Sequence, residues 1–116
     1  MPTEPLTNAI GHLRKAALAD AGLTDGQLLD AYLQRRDEAA FECLVWRHGP
    51  AVLGACRRAL GNDADAEDAF QATFLVLVRK GHVVRPRGAV GAWLYGVACN
   101  VARKARADAA RRRAKE

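Results

Sequence analysis

The sequence predicts an all-α fold, and three observations carry that prediction. Proline occurs four times in 116 residues, so helix-breaking positions are few. Alternating β-branched runs of the kind that build half-buried strands are scarce. Alanine, leucine and arginine, all good helix formers, dominate instead. The length fits one small domain with a modest core and leaves no room for a large enclosed active site beside its scaffold.

Each element has its own signals. Residues 6–20 form a candidate first helix with Leu6, Ile10, Leu13 and Ala17 on one side, weakened by Gly11. Thr24 or Asp25 caps the next helix, in LTDGQLLDAYLQRRD, whose apolar face is Leu28, Leu29, Tyr32 and Leu33. Asp37 caps a third, DEAAFECLVWRHGPAVLGACRRAL. Here Pro50 lacks a donor and disfavours the helical region at Gly49, so a kink or short break is expected. Gly61, Asn62 and Asp63 end that helix, and Asp65 begins the next, DAEDAFQATFLVLVRK. The acids of its first turn (Asp65, Glu67, Asp68) and the bases of its last (Arg79, Lys80) complement the helix dipole. Phe70, Phe74 and Leu77 form its core stripe. Asp68, Gln71, Leu75 and Arg79 make a second stripe that is polar at one end and apolar in the middle, as a partner surface would be. A loop at 81–88, punctuated by Gly and Pro, leads into a last helix from about Ala89. Its inward stripe is Val90, Trp93, Leu94, Val97 and Val101. Tyr95, Cys99, Arg103, Arg106 and Arg113 lie about half a turn away. Beyond Arg106 little is left to bury, so the tail is expected to project or fray.

Charge divides the chain. Residues 81–116 carry +7 and residues 1–80 carry −2. A mildly acidic body with a basic C-terminal third points to two surfaces, the basic one suited to a polyanion such as DNA or RNA. Stretches such as 74–78 are far short of the roughly 20 apolar residues a bilayer needs, and the N-terminus does not read as a secretory leader. A cytoplasmic chain without membrane contact is expected. Cys43, Cys56 and Cys99, and His12, His48 and His82, are scattered without zinc or disulfide spacing, so neither metal nor cofactor is expected.

No nucleotide-binding, zinc-protease or nucleophile-elbow motif is present, so no catalytic residue is assigned. The acids at 63–68 would suit Mg²⁺, but acids at a helix start already satisfy free N–H groups and the dipole. The basic last helix has a plain alternative in solvation. However, its arginines share a face with Tyr95 and adjoin a basic loop, which favours nucleic acid.

The segment DAEDAFQATFLVLVRK, followed after a short loop by GAWLYGVACNVARKAR, resembles region 2 of extracytoplasmic-function (ECF) sigma factors of the sigma-70 class. The likeness spans about residues 25–115, with DEAAFECLVWRHGPAVLGACRRALG as the first conserved block. It implies a compact bundle of about four helices at 24–116, with residues 1–23 as an extension outside it. It further implies that the 65–80 helix docks on the β′ clamp helices of bacterial RNA polymerase core. Asp68 and Gln71 would face polar groups there and Leu75 the contact centre, with Asp65 and Arg79 alongside. For Asp65 and Glu67, capping and polymerase contact both stand open. The loop from His82 to Gly88 and the last helix would take the melted promoter −10 element. Tyr95 and Asn100 would meet bases, while Arg85, Arg87, Arg103, Lys104 and Arg106 would meet phosphates. Trp93 is open between packing and DNA contact, with its place on the core stripe favouring packing.

Three departures from the family pattern stand out. Ala72 occupies a position where many relatives have Glu, and Gly96 one where they often carry a base. Region 4, the helix-turn-helix that reads the −35 element, is expected to be absent, either because region 2 stands alone or because the chain is trimmed. Rival readings are a non-specific nucleic-acid-binding helical protein and an interaction module for an anti-sigma-like regulator. A nuclease is more distant.

Overall fold

The computed structural model describes residues 22–115. The helix expected at 6–20 lies outside these residues. Four helices follow one another: α1 (Asp25–Arg35), α2 (Glu38–Leu60), α3 (Asp63–Lys80) and α4 (Val90–Lys115). Two single 3₁₀ turns, Gly81–Val83 and Arg87–Ala89, shape the loop between α3 and α4.

Local chemistry sets the boundaries. The Thr24 hydroxyl accepts from the Gln27 N–H at 3.1 Å, and the Thr24 N–H donates to Gln27 Oε1 at 2.8 Å, so the two residues cap α1 reciprocally. Asp37 Oδ1 accepts from the N–H groups of Ala39 and Ala40 at the start of α2. Gly61 closes α2 at φ 77°, a backbone region that costs glycine nothing. Asn62 then caps α3, accepting from the Asp65 N–H at 2.8 Å. This places the start of α3 at Asp63, two residues before the expected Asp65, because the amide of Asn62 serves as the cap.

α1, α3 and α4 all pack on α2. Leu28 and Leu29 of α1, Leu44, Val52 and Cys56 of α2, Leu77 of α3 and Leu94 of α4 are completely or almost completely buried in one core. An aromatic row closes one side: Tyr32 and Phe41 lie 4.9 Å apart between centroids, and Phe41 meets Phe74 edge-on at 6.4 Å. The buried Thr73 hydroxyl donates to the Ala69 carbonyl one turn back, so it brings no unsatisfied polar group into the core.

α2 stays helical through Pro50, so the short break allowed for there does not occur. A proline in a helix interior costs about 3 kcal/mol. Burial of Leu44 on one side of it and Val52 and Cys56 on the other holds both halves in one element. The seam of α4 is Val90, Leu94, Ala98 and Ala102, all fully buried, while Trp93, Val97 and Val101 are only half-buried. The two alanines project little, so α4 lies close to its neighbours and turns its bulkier residues to the rim. The tail is helical to Lys115, with Ala105, Asp108 and Ala109 half-buried, so some surface is covered beyond Arg106.

Leu44→Ala is expected to cost about 2–5 kcal/mol, because truncating a completely buried leucine in the first half of α2 leaves a cavity. The denaturant midpoint should fall while the slope of the transition stays constant.

Candidate functional site

α3 divides into two faces as its pattern requires. Ala66, Ala69, Thr73, Phe74 and Leu77 point inward. Asp68, Gln71, Leu75 and Arg79 all lie on the solvent side. Leu75 is 55% exposed and its neighbour Val78 is 39% exposed, so an apolar spot sits between polar ends. Asp65 is half-buried at the edge of this face. It is held by Asn62, whose side-chain amide donates to Asp65 Oδ2 at 2.8 Å. Asp65 and Asp68 also line a groove of about 530 Å³ whose far wall is Val101, Ala105, Asp108 and Arg112 of α4.

The loop between α3 and α4 is built on α1. Arg87 Nε donates to Asp30 at 3.1 Å, and its Nη1 donates to the carbonyls of His82 and Val84, each at 2.9 Å. One guanidinium therefore gathers the loop backbone and ties it to α1. Gly26 of α1 lies so close to the loop that a Cβ there would meet the Gly88 nitrogen at 3.3 Å. Val84 is buried as an anchor, while His82, Val83 and Arg85 face solvent. Arg87, expected to meet phosphate, is thus engaged inside the loop, and Arg85 is the exposed arginine there.

The start of α4 is fixed equally closely. Asp25 accepts from Arg47 at 3.2 Å and pairs with His48 Nε2 at 2.8 Å, which joins α1 to α2. Gly91 packs on the His48 ring, and a Cβ at that position would come within 2.7 Å of it. The side chain absent from Gly91 is what lets α4 begin there.

Along α4, Tyr95, Asn100, Arg103, Lys104 and Arg106 are all exposed. They do not share one stripe. At about 100° per residue, Tyr95 and Arg106 align within about 20°, and Asn100 and Lys104 stand about 140° and 180° around the helix from Tyr95. The basic surface therefore wraps the helix. Tyr95 is 44% exposed, and its hydroxyl accepts from Arg58 Nη2 of α2 at 3.3 Å. Trp93 is half-buried against the core, in keeping with a packing role.

Sequence reasoning missed two surfaces. Arg58, on α2, meets Arg106 and Arg113 of α4 around a pocket of about 280 Å³. The i, i+7 spacing of Arg106 and Arg113 was legible, but nothing local tied Arg58 to them. A second, larger groove of about 780 Å³ is mostly apolar and includes Phe41, Val45, Trp46, Leu53 and Phe70. The 71% exposure of Trp46 was hidden within an otherwise helical apolar run. Among the described residues there is no group of three His, Cys, Asp or Glu side chains placed to hold a metal ion. No helix among them is long and apolar enough to cross a membrane.

Burial pushes the Cys56 thiol up, and the nearby Cys99 adds to the shift. Cys56 should therefore alkylate more slowly than Cys99 in the native protein, with a rate that rises only above the pH at which an ordinary thiol reacts. Cys99, half-exposed, should label first. Peptide mapping after timed iodoacetamide treatment checks the order. Arg87→Met should cost about 1–3 kcal/mol through carbonyls that lose their donor, and amide exchange should rise across 81–89. Asp30→Ala should cost less than about 1 kcal/mol, because that ion pair is partly exposed and the carbonyl bonds survive.

Comparison with known proteins places these surfaces in a family. The family model for sigma-70 region 2 matches residues 44–112, which takes in most of α2, all of α3, the loop and most of α4. RNA polymerase sigma factor CarQ of Myxococcus xanthus is 44% identical over 66 residues, covering 57% of this chain and 38% of that protein. RNA polymerase sigma-H factor of Pseudomonas aeruginosa is 33% identical over 79 residues, covering 68% of this chain and 40% of that protein. The chain spans about two fifths of the length of these curated relatives. No solved structure matches it significantly. With more than half of its length matched by the family model, the chain belongs to the sigma-70 region 2 family.

Proposed function

We propose that this domain works as region 2 of an ECF-type sigma factor, docking on RNA polymerase core and holding the melted −10 strand of a promoter. The observation that carries the reading is the solvent face of α3. Asp68, Gln71, Leu75 and Arg79 stand in one row, exposed, on a helix whose opposite side is committed to the core. That row offers an acid, an amide, an apolar centre and a base to a partner helix surface, and the β′ clamp helices are the partner the family membership favours. The relatives' names, both RNA polymerase sigma factors, support the same partner.

The DNA side of the reading rests on the loop and α4. Arg85 and the exposed bases of α4 neutralise phosphates. Tyr95 offers a ring for stacking, an interaction of about 1–3 kcal/mol per base. Asn100 offers an amide to a base edge. Bases are available for stacking and for edge contacts of this kind only when the strand is open, so such contacts favour the melted promoter over the duplex. The covalent chemistry of transcription belongs to polymerase in this scheme. The domain acts by differential binding alone.

Asp68→Arg should weaken binding to core polymerase by about 2–5 kcal/mol, read by titration against labelled core or a β′ clamp-helix fragment. The fold should stay intact, since Asp68 is exposed. Asn100→Ala should leave polymerase affinity unchanged and weaken capture of a single-stranded −10 fragment by the complex by about 1–3 kcal/mol. Equal polymerase affinity of wild type and Asp68→Arg would refute the assignment of the α3 face.

A further inference from the structure

We propose that the pocket between the α2–α3 corner and α4, lined by Arg58, Arg106 and Arg113, is a phosphate site that grips the DNA backbone beyond the base held at Tyr95. The inference rests on the reading of α4 as the DNA-facing helix. It adds to that helix a residue of α2 that no motif places near DNA.

Charge is the first argument. Three guanidinium groups from two helices face one pocket of about 280 Å³. The carboxylate lining the same pocket is Asp65, and it is already hydrogen-bonded by the Asn62 amide. The neighbouring acids are matched elsewhere: Asp63 pairs with Arg57 at 3.4 Å, and Asp108 pairs with Arg111. Among the described residues, none of Arg58, Arg106 and Arg113 forms an ion pair. Three guanidinium charges against the single carboxylate of Asp65 leave the pocket with a net positive charge, which an anion would offset. A planar guanidinium, with its fork of donors, suits a phosphate in particular.

Alignment is the second argument. Tyr95, Arg106 and Arg113 fall on one stripe of α4, within about 20° of one another, over about 27 Å of helix. Arg58 links Tyr95 to the pocket, since it lines the pocket and donates to the Tyr95 hydroxyl. A strand stacked on Tyr95 would have its backbone led along the stripe into the pocket. Arg58 would then act twice, holding the tyrosine ring in place and binding phosphate.

The test compares wild type, Arg58→Met, Arg113→Met and the double variant, each in complex with core polymerase, on a fork-junction DNA with a single-stranded non-template end. The phosphate contribution is independent of sequence, so it can be read from the slope of log affinity against log salt concentration. Each substitution should lower that slope by about 1 and the affinity several-fold, with polymerase affinity unchanged. Arg58→Lys should retain the slope. All three arginines are exposed, and melting curves confirm that the variants fold. A slope in the double variant equal to that of wild type overturns the proposal while leaving the sigma reading standing. Failure of the wild-type complex to bind the fork overturns both. A parallel titration with inorganic phosphate, followed by the arginine Nε resonances, separates the sources. Saturation by free phosphate together with an unchanged DNA slope would make the pocket a small-anion site and refute the backbone role.

Discussion

Burial along α2 is the interaction on which the rest of this structure depends. The helix runs for 23 residues and meets α1, α3 and α4 along its length. Its core residues Leu44, Val52 and Cys56 sit on either side of Pro50. Continuity through the proline matters for the fold because the two halves hold different neighbours. Near its middle, Arg47 and His48 fix the start of α1 through Asp25, and the His48 ring receives Gly91 at the start of α4. Near its end, Arg58 reaches Tyr95. A break at Pro50 would let these two contacts to α4 drift independently.

The loop shows how a short irregular segment is given a shape. Arg87 satisfies loop carbonyls that no helix ladder could reach, and Asp30 orients its guanidinium. The charge is thereby withdrawn from the surface and turned to holding backbone. Arg85, two residues earlier, keeps its exposure. Two arginines with the same sequence neighbourhood thus have different work, and the difference arises from which one α1 can touch.

The electrostatic division of the chain reappears as a division of surfaces. The acids at the start of α3 lie beside its exposed face, and the bases of α4 wrap a helix that projects to Lys115. The two meet where Asp65 and Asp68 border a groove shared with Arg112. Packing of α3 and α4 against a common helix brings the exposed mixed row of α3 and the basic surface of α4 side by side on one small domain.

The sequence by itself determined the helical class, the caps at Thr24 and Asp37, Phe74 and Leu77 of the α3 core stripe, the exposed row Asp68, Gln71, Leu75 and Arg79, and the family, whereas Phe70 of that stripe is only half-buried. All of these rest on spacing within one helix or on side chains within a few residues of each other, where 3.6-residue periodicity and capping chemistry act directly. Tertiary structure decided the rest. It carried α2 through Pro50, since burial on both sides outweighs a local preference. It chose Ala98 and Ala102 over Val97 and Val101 for the seam of α4, since close approach favours small residues that a hydrophobicity pattern ranks low. It brought Arg87 to Asp30 of α1 and Arg58 to Tyr95 across 57 and 37 residues of chain, because a hydrogen bond depends on distance in space, and no periodicity encodes where a side chain on another helix will arrive.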